Sequence, residues 1–141
     1  MQEITTFEQF EEIINGDKEV IIKFFAGWCP DCTRMDMFID PIVEEYNMYT
    51  WYSVNRDNFP DVAEKYQVMG IPSLLVFKNG EKLAHLHSAN AKSPAQVTEF
   101  LDAQTRNRWL ILFICKVISM LSFFKIKKKG SHTLFSLVGF N

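Results

Sequence analysis

The 141-residue chain is poor in the residues that mark several protein classes. Three cysteines are too few, and odd in number, for a disulfide-stapled secreted scaffold. Six glycines and five prolines exclude a collagen-like or low-complexity chain. The N-terminal segment MQEITTFEQFEEII has neither the basic nor the apolar region of a signal peptide, so none is expected and the reducing cytosol is the expected compartment. There, a close cysteine pair points to catalysis or metal binding before structure. Acids are missing from one end: residues 106–141 carry seven bases and no acid, whereas residues 1–105 hold all 17 acids against eight bases, a net of −9. An acidic body argues against nucleic acid as its partner. What remains, 48% apolar and 14% aromatic, excludes a disordered chain and suffices for one buried core.

The residue pattern alternates helix and strand. Thr5 with Glu8, or Thr6 with Gln9, fits a capping box ahead of Phe7, Phe10, Ile13 and Ile14 at helical spacing. Residues 19–26 (EVIIKFFA) form a buried strand interrupted only by Lys23. A helix is expected over 32–46, with Met35, Phe38, Ile39, Ile42 and Val43 inward and a kink at Pro41. A strand over 49–54, a short helix over 60–66 with Pro60 in its first turn, and a strand over 73–78 follow. Asn79-Gly80 turns that strand into a partner over 82–86, and Ser93-Pro94 opens a helix to about Ala103. The order αβα, β, α, ββ, α predicts an α/β sandwich with a mixed sheet flanked by helices.

Cys29 and Cys32, two residues apart, lie at the junction of the buried strand and the next helix. A thiolate, not a thiol, is the nucleophile in disulfide exchange, and unpaired N–H groups in a first helical turn stabilise it. Cys29 is expected there, exposed, with Cys32 one turn inward. Cys29 would attack a substrate disulfide and Cys32 would resolve the mixed disulfide. Pro30 between them restricts the backbone. Two other readings of the pair are an inert core pair and a zinc half-site. The latter needs about four ligands; Cys115, His85, His87 and His132 are the remaining candidates, and there is no second CxxC.

Phe24-Phe25-Ala26-Gly27-Trp28-Cys29-Pro30-Asp31-Cys32, followed about 40 residues later by Gly70-Ile71-Pro72-Ser73-Leu74-Leu75-Val76-Phe77-Lys78-Asn79-Gly80, resembles the thioredoxin family from Ile4 to Ala103. The resemblance implies the thioredoxin fold and a cis Pro72 beside the disulfide. It implies that Ile71 offers backbone hydrogen bonds to a bound substrate chain and that Trp28 forms part of an apolar rim. It further implies a thiol–disulfide oxidoreductase acting on disulfide-containing proteins or low-molecular-weight disulfides. Electrons would come from a thioredoxin-reductase-type or thiol donor, and the redox-active disulfide would serve with no metal or organic cofactor. A non-catalytic binding module on the same fold and a membrane-tethered redox protein are the alternatives.

Two positions depart from the family pattern. Pro30-Asp31 stands where Gly-Pro is usual, a Trp-Cys-Pro-Asp-Cys arrangement similar to that of cytosolic thioredoxin-related proteins with narrower substrate choice. Asp31 is expected to oppose the thiolate by Coulomb repulsion. Lys23, six positions before Cys29, replaces the buried acid that the family uses to move the resolving thiol's proton. A lysine there is expected to snorkel out of the strand or to favour a nearby thiolate.

Residues 109–124 (WLILFICKVISMLSFF) form an apolar run broken by Lys116, with Arg106 and Arg108 before it and Lys125, Lys127, Lys128 and Lys129 after it. The run is shorter than the ~20 residues that span a bilayer. The expected organisation is a thioredoxin-like domain over 1–105 and an apolar, basic tail over 106–141. That tail reads as a membrane-associated segment (contact confined to 106–129), a docked helix or a non-native extension. His85 and His87 are expected to face solvent from an edge strand, and Met35, Met37, Met48 and Met69 to fill core or rim.

Overall fold

A computed structural model describes residues 1–128, with side chains to position 121. Lys129 and His132 lie outside the described residues, as do the side chains of Lys125, Lys127 and Lys128. The chain divides into two compact units, Met1–Gln104 and a second that begins at Thr105.

In the first unit the chain order is β1 (Gln2–Ile4), α1 (Phe7–Ile14), β2 (Val20–Phe25), α2 (Pro30–Asp36), α3 (Ile39–Glu45) and β3 (Thr50–Asn55). A 3-10 turn (Arg56–Asn58), α4 (Pro60–Lys65), β4 (Ser73–Lys78), β5 (Glu81–Leu86) and a second 3-10 turn (Ser88–Asn90) lead to α5, which starts at Pro94. The five strands lie in the order β1-β3-β2-β4-β5. The first three run parallel, and β4 and β5 are antiparallel to their neighbours.

The central strand β2 explains the sheet's two layers. Val20, Ile22 and Phe24 pack with Phe10, Val62, Tyr66 and Phe77, on the side of α1 and α4. Ile21 packs with Met35, Ile39, Ile42, Val97 and Leu101, on the side of α2, α3 and α5. Alternate side chains of a strand point to opposite faces, so a strand covered on both sides reads as a continuous apolar run. Lys23, next in phase with Ile21, therefore belongs to the α2/α3/α5 layer.

Local chemistry sets most boundaries. Thr6 caps α1 by accepting from the Gln9 N–H at 3.2 Å, and Gln9 Oε1 accepts from the Thr5 N–H at 3.0 Å. Asn79 and Gly80 both have positive φ, 50° and 79°, as a two-residue hairpin turn that follows the sheet's twist requires. Their N–H groups donate to Gly16 and Ile14 carbonyls at 2.8 Å each, which ties the hairpin to the end of α1.

Three expectations are corrected. The helix expected over 32–46 is two helices broken at Met37-Phe38, four residues ahead of the expected kink. Pro41 is the cause: its ring excludes a helical carbonyl four residues earlier, so the proline sits in the first turn of α3. β1 was not expected; its three residues gain pairing from β3, a long-range effect with no local signature. The helix expected to end near Ala103 runs instead to Lys128. No Gly or Pro interrupts it after Pro94.

In the second unit the helical residues Trp109, Leu110, Ile111, Phe113, Ile118 and Leu121 are exposed. Among the described residues, no helix is long and apolar enough to cross a membrane.

Candidate active site

The site forms where β2 ends. Cys29 is the N-cap of α2 in extended conformation, and Pro30 occupies the first helical position, where its missing N–H costs nothing. The cap is a sulfur: Cys29 Sγ accepts the Cys32 N–H at 3.1 Å. Cys29 and Cys32 are disulfide-bonded, with Cα atoms 5.3 Å apart.

Both sulfurs lie in a small apolar cluster with Ala26, against Phe25 and Ile71. Cys29 Sγ is 3.8 Å from the Ile71 carbonyl oxygen. The Ile71–Pro72 peptide bond is cis, and Pro72 is buried. The fold therefore brings two stretches some 40 residues apart in sequence onto one spot. Cys29 was expected to be exposed, but in the disulfide it is only 5% accessible, because Ile71 and Phe25 pack against it. Cys32, at 2%, is the inner sulfur.

Trp28 is 67% exposed, so its role is not core packing. Its Nε1–H donates to Asp57 Oδ2 at 2.8 Å, which fixes an apolar surface beside the sulfurs. Asp57 was missed by the sequence reading. It is placed by the 3-10 turn after β3, where Asn55 Oδ1 accepts from the Asp57 N–H at 3.0 Å.

Asp31 does not stand alone as expected. Lys92 Nζ meets its Oδ2 at 2.8 Å, and Arg34 Nη1 meets its Oδ1 at 3.2 Å. The Lys92 hydrogen bond and charge hold the Asp31 carboxyl below its usual range, with Arg34 adding a smaller contribution. Its repulsion of a neighbouring thiolate is offset by two cations.

Lys23 is 3% exposed and does not snorkel to solvent. Its ammonium forms an ion pair with Asp36, the last residue of α2, whose side chain is 60% exposed. The same ammonium lies 5.8 Å from the centre of the Phe25 ring, the ring that also packs on the cysteines. No sequence signal marked Asp36 as the partner.

Elsewhere, one of the two histidines expected to face solvent is corrected: His85 of β5 is partly buried, whereas His87, just past the end of β5, is exposed. His85 and His87 stack with ring centroids 3.7 Å apart, and both ring nitrogens of His85 are shielded from solvent. Burial, then the charges of His87 and Lys82, push His85 down to about 4. Met35 is buried, whereas Met37, Met48 and Met69 are exposed. Cys115, in the second unit, is an exposed free thiol. Among the described residues, no group of three or more His, Cys, Asp or Glu side chains is placed to hold a metal ion.

Comparisons with known proteins match this geometry. The thioredoxin family model covers residues 2–103. Thioredoxin-1 of Saccharomyces cerevisiae is 35% identical over 98 residues, 70% of this chain and 92% of the yeast protein. A thioredoxin of Echinococcus granulosus is 37% identical over 96 residues, 68% of this chain and 87% of its own length. Among solved structures, Plasmodium falciparum thioredoxin superimposes with a TM-score of 0.62 at 30% identity, covering 70% of this chain and 97% of that one. With a family model over most of the chain, curated relatives above 30% identity and a cysteine pair at disulfide distance, the chain belongs to the thioredoxin family as a thiol–disulfide oxidoreductase of the protein-disulfide reductase type.

Proposed function

We propose that Cys29 is the nucleophile and Cys32 the resolving thiol. The observation that carries this is the Cys32 N–H donated to Cys29 Sγ at the first turn of α2. A hydrogen bond to the charged form of a group favours that form, so the same N–H lowers the cost of a Cys29 thiolate once the disulfide is reduced. Cys32 has no such position and stays protonated until its turn.

The Cys29 thiolate attacks one sulfur of a substrate R–S–S–R′. A Cys29–S–S–R bond forms, the substrate S–S bond breaks, and R′S⁻ leaves and takes a proton. Cys32 then loses its proton and attacks Cys29 Sγ. The Cys29–Cys32 bond forms and RS⁻ leaves, also to be protonated. Two electrons and two protons pass from the dithiol to the substrate. The pair itself is the electron carrier, and a thioredoxin-reductase-type or low-molecular-weight thiol donor returns it to the dithiol.

Trp28, Pro30 and Asp31 support the centre: Trp28 as an apolar docking surface, Pro30 as a backbone restraint, Asp31 as an anchor for nearby cations. Ile71 and Pro72 receive the substrate chain, supported by the 3.8 Å approach of the Ile71 carbonyl to Cys29 Sγ. We place this chemistry in residues 1–105 and in the cytosol, where the reducing poise favours reduction of substrates over their oxidation.

The test is a pair of variants in a protein-disulfide reduction assay. Cys29→Ser abolishes turnover. Cys32→Ser traps a Cys29–substrate mixed disulfide that a thiol reductant releases. Trapping at Cys32 in the Cys29→Ser variant, with none at Cys29 in the Cys32→Ser variant, contradicts the assignment.

A further inference from the structure

We propose that Lys92 is a positioning residue for the reaction: it holds Asp31 in an ion pair and, with Arg34, reverses the sign of the charge that the Cys29–Cys32 loop presents to its own nucleophile. The inference rests on Cys29 being that nucleophile.

Lys92 is brought to the site by a capping arrangement at the head of α5. Gln96 Oε1 accepts from the Lys92 N–H at 2.9 Å, and the Gln96 N–H donates to Ser93 Oγ at 3.4 Å. Ala91, the preceding residue, is 1% exposed, so the backbone on that side is anchored as well. The same connection presses on the cis-proline segment. A Cβ added at Gly70 would lie 2.2 Å from Ser88 Oγ, a distance no real side chain tolerates. One short segment, 88–92, therefore touches the Gly70 end of the substrate loop and reaches Asp31 between the two cysteines.

The carboxylate of Asp31 is satisfied at both oxygens, by Lys92 at 2.8 Å and by Arg34 at 3.2 Å. Lys92 and Arg34 side chains are 50% and 63% exposed. Exposed ion pairs of this kind contribute little to stability, so folding does not account for a contact spanning 61 residues of sequence. Its consequence is a field. Asp31 alone is one negative charge two residues from Cys29, which disfavours a thiolate. With Lys92 and Arg34 fixed on it, the cluster carries one net positive charge, which favours a thiolate. The Trp-Cys-Pro-Asp-Cys loop thus gains its reactivity from a lysine outside the motif. The other charges reached through neighbours of the sulfurs are Asp57, bonded to Trp28, and the Lys23–Asp36 pair beyond Phe25.

The experiment measures the Cys29 titration in the reduced full chain, by the pH dependence of its iodoacetamide alkylation, for wild type, Lys92→Gln, Lys92→Arg, Asp31→Asn and the double variant Asp31→Asn/Lys92→Gln. Glutamine keeps a donor on a side chain one bond shorter and removes the charge. Lys92→Gln raises the Cys29 pKa by about half a pH unit, roughly a threefold slower alkylation below the pKa, and added salt shrinks the difference. Lys92→Arg restores the wild-type titration. In the Asp31→Asn background, Lys92→Gln has a smaller effect, because the lysine is no longer held at the loop. An unchanged titration in Lys92→Gln overturns the proposal, as do failure of Lys92→Arg to restore it and an equal shift in both backgrounds. If wild-type Cys29 itself reacts no faster than free cysteine, the nucleophile assignment fails instead, and the two failures are told apart by that one curve.

Discussion

The buried pair Lys23–Asp36 yields a sharp test, because its two members are expected to behave oppositely when removed. Lys23 is in the central strand with its side chain 4% exposed, whereas Asp36 is 60% exposed. Truncating one partner of a buried ion pair leaves an uncompensated charge and costs about 3–5 kcal/mol. Here water reaches the outer partner and follows into its place, so the figure is discounted, and Asp36→Ala is expected to cost about 1–2 kcal/mol. Lys23→Met removes the charge and keeps an unbranched apolar stem against Phe25. Exchanging a buried ion for an apolar residue of similar volume is neutral or stabilising. Lys23→Met should therefore equal or exceed the wild type, and the double variant should match Lys23→Met, since an exposed Asp36 without its lysine has nothing left to stabilise. The assay is urea unfolding of the oxidised protein followed by far-UV circular dichroism and tryptophan fluorescence. With a slope of about 1–2 kcal/mol per molar urea, the Asp36→Ala midpoint falls by about 1 M. Equal losses in Asp36→Ala and Lys23→Met would show that the pair is a net stabiliser, and no loss in Asp36→Ala would show a lysine already hydrated; either result refutes the reasoning.

Three further outcomes follow from particular contacts. His85 is held near 4 instead of its ordinary 6.5, first by burial and then by His87 and Lys82. The unfolded chain thus takes up a proton that the folded one refuses, so this contribution to stability is present above about pH 6.5 and is lost as pH falls towards 4. Wild type should lose more stability than His85→Leu between pH 7.5 and 4, and parallel pH profiles of unfolding would contradict it. Asp57→Ala releases the Trp28 indole; it should raise KM for a protein disulfide while changing stability by less than about 1 kcal/mol, and an unaltered KM would remove Trp28 orientation from substrate docking. A chain ending at Gln104 keeps the whole first unit and should retain disulfide reduction at the full-length rate, whereas loss of turnover would move functional residues into the tail.

Much of the architecture was legible because it is written locally. The apolar run of β2, the Asn79-Gly80 turn and the Ser93-Pro94 helix start each carry their own signal, and the structure has all three. The cysteine motif and the Gly70–Pro72 segment were readable as a pair, and the fold brings them within contact. What stayed hidden depends on partners distant in sequence. Lys23 carried no mark of its pairing with Asp36, because a strand and the end of a later helix meet only after folding. Lys92 carried no local signal of its approach to Asp31, because the two meet only across 61 residues of sequence. His85 read as solvent-facing by strand alternation, yet it stacks on His87 and both its ring nitrogens are shielded from solvent. The break before α3 was misplaced for a different reason: proline disturbs the turn before it, so its effect appears upstream of the residue itself.

Catalysis depends most directly on the reactivity of one sulfur. Alkylation of the reduced protein at pH 7 with a limiting amount of iodoacetamide, followed by peptide mapping, should place the label on Cys29 ahead of Cys32 and of the exposed Cys115. Labelling of Cys115 first, with Cys29 no faster than an unperturbed thiol, would contradict it.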